Sequence, residues 1–241
     1  MAERSGSDGN SSRDPDGDRG GDARAVDFVE TLAAATPTPG GGAAAAHAGR
    51  LATALLRMVT GLTLAKASRN TATSSAGGDA ASWDEVRALA RAASALSTRF
   101  AELETADAAA FDAWLAARRL PRGSADEQAV RRARTLDAAC EATRIPLETL
   151  DAALATVALV ARLLAVAERV RLRAEADLGG ALELAHAAFR GAEINVRVNL
   201  RGLGGDARER ELASRRQELV ARFESLYPEI RARLLARLET S

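Results

Sequence analysis

Cysteine occurs once in the 241 residues, at Cys140. A lone cysteine excludes an intramolecular disulfide framework and suits a reducing compartment, and on a predicted helix it reads as a buried structural thiol. Aromatic residues make up only 3 % of the chain, too few for the stacking platforms of single-stranded nucleic-acid binders. Excess charge of either sign is also missing: 33 basic and 33 acidic residues cancel, and the pI is near 6.8. Global attraction to nucleic acid or to an anionic membrane is therefore excluded. The greasiest run, residues 152–161, stops at Arg162 and is too short to span a bilayer. Residues 1–24 lack the apolar core of a secretory signal. Their Gly, Ser, Asp and Arg bury too little to offset ordering entropy, so a disordered tail and a cytoplasmic location are expected.

Metal and nucleotide signatures are missing too. The sequence has no Cys/His ligand spacing, no paired-His zinc motif, no lysine after a phosphate-loop glycine run and no G-x-G-x-x-G, so no metal is expected. His47 and His186, far apart in alanine-rich sequence, read as satisfied or surface histidines.

What is present is helical periodicity, which dominates everything after residue 24 without a run of alternating, β-branched strand sequence. The fold class expected is all-α, an antiparallel helical bundle. Its alanine-rich surface and thin core favour pairing into a homodimer. A short helix carrying Val26, Val29 and Leu32 stops at Pro37 and Pro39, and a long one follows over about residues 43–69. Residues 70–82 form a loop, closed by a capping box of Ser82 and Glu85 that opens a third helix to about residue 119. Ser124 with Glu127 caps a fourth helix, and Pro146 sits at an N1 position opening a fifth. A sixth runs over about residues 175–200, followed by charged segments interrupted at Pro228. The expected organisation is a tail over 1–24, a helical domain over 25–205 and a C-terminal helical extension over 206–241.

Against this background a few polar residues stand out. In the third helix Val86, Leu89, Ala93, Leu96, Phe100, Leu103, Ala110 and Trp114 recur at spacings of three and four, and Asp107 occupies one of those apolar seam positions. In the sixth, Asp177 and Asn195 lie five full turns apart and point the same way, with Asn199 one turn further. Lys66 ends the second helix. Buried carboxylates need partners, so Asp107, Asp177 and Lys66 are expected to converge on one cleft, as a structural salt bridge or as an acid/base site. Gly40, Gly41 and Gly42 oppose order unless their freedom is used, either in a tight turn or close helix crossing, or to aim bare N–H groups at a ligand.

The stretches "FVETLAAATPTPGGGAAAAHAG", the Met58/Leu62/Thr63/Lys66 series, "DAAAF" at Asp107, "IPLE" at Ile145 and "ADLGGA…AFRGAEINVRVNL" occur in the order typical of one family. Over about residues 26–200 the chain resembles the cyclodeaminase/cyclohydrolase family, which includes formiminotetrahydrofolate cyclodeaminases and methenyltetrahydrofolate cyclohydrolases. The resemblance implies a dimeric all-helical bundle, no metal or prosthetic group, and a tetrahydrofolate derivative as substrate. It further implies proton transfers around an amidine-like carbon, with Asp177 as the first acid/base candidate, Asp107 in support and Lys66 supplying charge or a proton. Thr38, Gly40, Gly41 and Gly42 would hold a substrate carboxylate or pterin edge, and Asn195 and Asn199 would pair with the heterocycle.

The chain departs from the family pattern at several points. Ala43 replaces a serine after the glycines, Ala65 a glycine, Arg69 a tyrosine, and "VRLRAEAD" puts Ala176 in a second serine position. Three functions therefore stand side by side: a folate cyclodeaminase or cyclohydrolase, a relative recruited to another cyclisation, imine or amidine reaction, and a non-catalytic helical binding or scaffold protein.

Overall fold

A computed structural model describes residues 22–70, 79–170, 172–205 and 207–240. The chain divides into two units, residues up to Thr36 and those from Pro37 onward. The first contains α1 (Asp22–Ala33). The expected disorder of residues 1–21 lies outside the described residues, while 22–24 belong to this helix.

The second unit holds α2 (Gly41–Asn70), α3 (Ala80–Arg118), α4 (Ala125–Ala167), α5 (Glu175–Leu200) and α6 (Ala207–Thr240). Neighbour pairs define their directions. Gly42 meets Asp107 and Gly49 meets Phe100 across α2 and α3, and Gly41 meets Asn195 and Gly191 meets Ala45 across α2 and α5, so both pairs run antiparallel. Arg169, just past the end of α4, reaches Ser82 and Glu85 at the start of α3, and Asn199 of α5 reaches Ala142 of α4, again antiparallel. The result is an up-down-up-down four-helix bundle of α2 to α5, with α6 packed on α4 and α5.

Apolar stripes dictate this closure. Leu56, Leu89, Phe100, Leu103, Leu150, Leu163, Leu182 and Phe189 are fully buried at its centre. Ala45, Ala46, Ala181, Ala185, Ala188 and Ala192 let α2 and α5 approach closely. At Gly49 any Cβ would strike the Phe100 ring, so that glycine serves a close helix crossing. Leu219, Phe223, Ile230 and Leu234 bury the inner face of α6. Its outer turns are tied down by Glu175–Arg237 at 2.9 Å and by Tyr227 donating to Glu183 at 2.7 Å. Phe223 and Tyr227 stack with His186. α4 is the described helix long and apolar enough to cross a bilayer; 67 % of that window is buried in the bundle, as befits a core helix.

Several helix boundaries differ from the sequence expectation. The N-cap of α3 is Asp79, which accepts the Ser82 N–H at 2.8 Å. Ser82 and Glu85 instead bind Arg169 in the turn after α4, so the expected capping box is a tertiary contact. The Ser124–Glu127 capping box is present. Pro146 opens no new helix but lies inside α4, because a neighbour compensates its missing N–H, as shown below. Pro228 likewise lies inside one continuous α6.

One side of the bundle stays apolar and exposed. α2 presents Leu51, Met58 and Leu62, the last 63 % accessible, with half-buried Ala44, Ala48 and Leu55 between them. Beside it α5 presents Ala187, Ile194 and Val198, with half-buried Gly180 and Gly191. Arg50 and Arg57 flank the α2 strip and Glu183 and Arg197 the α5 strip. A continuous apolar surface rimmed by charge is the signature of an interaction face.

Candidate active site

The α3–α4 hairpin is longer than the rest of the bundle. Asp107 is level with Gly42 at the start of α2, so the last three turns of α3 overhang the bundle end. Beneath the overhang lies a cleft of about 400 Å³. Its walls are the Pro37–Gly42 loop, Asp107, Phe111 and Trp114 of α3, Ala139 and Ala142 of α4, and Asn195, Val198, Asn199 and Gly202 at the end of α5.

The glycines serve this site unequally. A Cβ on Gly42 would collide with the Asp107 carboxyl, whereas one on Gly41 would meet the Asn195 side chain at an ordinary 3.6 Å. Gly42 is thus the position that lets the carboxyl lie against the first turn of α2. There the backbone N–H of Ala43 donates to it. This differs from the expectation that the loop's bare N–H groups hold a substrate: at least one is taken by a protein carboxylate. Burial pushes the Asp107 carboxyl above the ordinary aspartate range, and the Ala43 hydrogen bond opposes that shift only in part.

Both asparagines spend their amide nitrogens on backbone. Asn195 Nδ2 donates to the Gly191 carbonyl at 2.8 Å and Asn199 Nδ2 to the Ala142 carbonyl at 2.7 Å. Each therefore has its Oδ1 left as an acceptor for N–H groups of a bound heterocycle. Trp114, expected in the apolar seam of the third helix, and Phe111, the last residue of the "DAAAF" stretch, add an aromatic wall with ring centroids 5.7 Å apart. Arg118 lies 4.7 Å over the Trp114 ring. Their signal was available in the i, i+3 and i+4 spacing from Asp107, one and two turns past the polar seam residue.

The structure thus gathers Thr38, Gly40, Gly41, Gly42, Asp107, Asn195 and Asn199 around one cleft. It does not bring Lys66 or Asp177 there. Lys66 is exposed at the other end of α2, about 36 Å along the axis from Gly42, and Asp177 lies about 27 Å along α5 from Asn195. The expected convergence of Asp107, Asp177 and Lys66 within one chain is corrected accordingly. Helical periodicity fixes the direction in which a side chain points, not its height along the bundle. Ala176, the second lost serine position, is exposed at that far end as well.

A family model described as formiminotransferase-cyclodeaminase matches residues 24–218. Methenyltetrahydrofolate cyclohydrolase of Methylorubrum extorquens is 30 % identical over 211 residues, covering 86 % of this chain and 95 % of that protein. The crystal structure of formiminotetrahydrofolate cyclodeaminase from Thermotoga maritima superposes with a TM-score of 0.69 at 23 % identity, over 88 % of this chain and 95 % of that one. An all-helical bundle with its glycine loop, seam aspartate and paired asparagines at one end, matched over most of its length, belongs to the formiminotransferase-cyclodeaminase family.

Proposed function

We propose that the cleft binds a tetrahydrofolate derivative and hydrolyses its methenyl bridge. The observation that carries this reading is Asp107, a carboxyl raised in pKa and held on the Ala43 N–H inside the cleft. Water addition to an amidinium carbon needs a base that takes a proton from water and returns one to the departing nitrogen. One C–N bond then breaks, the carbon stays on the other nitrogen as a formyl group, and one proton is released overall. Near-complete coverage of a cyclohydrolase at 30 % identity supports this over ring closure with loss of ammonia. The Oδ1 atoms of Asn195 and Asn199 orient the heterocycle, the Phe111–Trp114 wall covers its flat face, and the loop from Thr38 to Gly42 closes the mouth. No prosthetic group takes part in this scheme.

We further propose a homodimer formed through the apolar α2/α5 face. That face is about 30 Å long and about 20 Å wide. Its roughly 600 Å² in projection, increased by helix corrugation, matches the ~800 Å² a side of a stable interface.

Loss of methenyltetrahydrofolate absorbance, corrected for spontaneous hydrolysis, tests the activity. Enzyme-dependent turnover that Asp107→Asn lowers by about 10²-fold or more is the expected result. Turnover of formiminotetrahydrofolate with ammonia release, and none of the methenyl compound, would overturn it.

A further inference from the structure

Among the 33 basic residues of this chain a single one is lysine, Lys66. Arginine serves every other basic position, and the one ammonium differs from all of them as a compact cation able to give up its proton. Lys66 makes no ion pair with another described residue, and it stands at the end of the exposed apolar face of α2 and α5. The cleft, at the opposite end of that face, has a carboxylate and two carboxamides among its lining residues and no cation. Val198 belongs to both the cleft wall and the exposed face, so whatever covers the face also borders the cleft.

We infer that a second copy docks on this face in the reversed sense and that Lys66 of the partner subunit completes the cleft beside Asp107. The inference rests on the proposed folate chemistry and homodimer. A two-fold axis lying in the face, across the helices near residue 53 of α2, sets each α2 antiparallel to its copy. The small Ala44 and Ala48 then meet the partner subunit's Met58 and the partner's Leu62, which are large and exposed. On α5, which lies beside residue 53 at about residue 183, Ala187 meets the region of Gly180 of the partner subunit, and Ile194 and Val198 reach past the start of that helix. Lys66 of the partner subunit comes level with the Gly40–Gly42 loop, and Asp177 of the partner subunit is carried to the same half of the dimer. The other two-fold, along the helices, sets the two clefts side by side and leaves each without an ammonium.

The reaction then divides between the two groups. Asp107 takes the first proton of the attacking water. Lys66 of the partner subunit protonates the nitrogen that departs and is reloaded by the second proton of that water, while the proton on Asp107 is released. Bonds and charge balance without a co-reactant.

Mixed dimers decide the matter. Asp107→Asn and Lys66→Met proteins, each inactive by about 10²-fold or more as homodimers, are co-expressed with different tags and purified as heterodimers. One of the two clefts is then intact, and about half of the wild-type turnover per dimer is expected. No recovery above the homodimers overturns the inference while wild-type turnover leaves the activity standing. A readout without activity comes from Thr38→Cys/Lys66→Cys in a Cys140→Ser background. Thr38 precedes the start of α2 and Lys66 lies about 38 Å along that helix from Gly41 in one chain, so the expected disulfide joins two chains and gives a covalent dimer on a non-reducing gel. Cross-linking of Thr38→Cys alone, or a monomer with α1 or nothing on this face, overturns the inference.

Discussion

The side-chain amide of Asn199 donates to the carbonyl of Ala142 at 2.7 Å, and Ala142 lies four residues before Pro146. In an uninterrupted helix that carbonyl would accept from residue 146, which as proline has no N–H. α5 therefore repairs the hydrogen-bond ladder of α4, and the repair orients Asn199 in the cleft. Asn199→Ala should strand the carbonyl and cost about 1–3 kcal/mol. Adding Pro146→Ala supplies a new N–H, so Pro146→Ala/Asn199→Ala should regain most of that loss. Urea unfolding of the four proteins checks this, and additive losses would show that the two positions are not coupled.

Neighbouring glycines should respond differently to the same change. Gly42→Ala drives a methyl into the Asp107 carboxyl, while Gly41→Ala finds ordinary contact distance to Asn195. Turnover should fall by about 10²-fold in the first and by less than about threefold in the second. Steady-state kinetics on both, with melting curves to confirm folding, separate these cases; equal losses would refute the role assigned to Gly42.

Asp107 should work against stability. Its folded pKa lies above the ordinary value of 3.8, so the folded protein binds that proton more tightly than the unfolded chain. Stability is then gained as pH falls through the folded pKa toward 3.8, and it is lost again as pH rises, leaving a constant cost at neutral pH. Asp107→Asn keeps the shape without the charge. Near pH 7 it should melt no lower than the wild type, and the difference between the two should shrink on acidification. Denaturant titrations across this range check the sign; a variant clearly less stable at pH 7 would mean that the carboxylate is a structural anchor.

Much of this was legible in the sequence, and the failures share a cause. The capping box at Ser124, the span of α5 and the apolar seam of α3 are local properties of a few turns, and they stand as read. Asp107 was identifiable because a carboxylate broke a local pattern. Pro146 and Pro228 misled because their compensation is tertiary: Asn199 stands beside the one, and the buried Phe223 and Ile230 hold α6 together around the other. Asp177 misled for a geometric reason. It shares its direction with Asn195, but five turns of rise separate them, and only the antiparallel pairing of α2 with α5 shows which end holds the cleft.

The two tryptophans provide a direct reporter of substrate binding. Trp114 lines the cleft, whereas Trp83 lies in the first turns of α3, about 46 Å away along the helix axis. If the Trp114 indole covers the flat face of the folate, its emission should be quenched as the substrate fills the cleft. In a Trp83→Phe background the full quenching signal should persist, and in Trp114→Phe it should vanish although binding continues on the remaining ring. Trp114→Ala removes the stacking surface itself. Since stacking on an aromatic side chain contributes about 1–3 kcal/mol, KM should rise by about 10-fold or more while kcat changes little, because the contact is made equally in ground and transition states. A quenching signal that follows Trp83, or a Trp114→Ala protein with unchanged KM, would remove the aromatic wall from the binding site and leave it as packing for the α3 overhang.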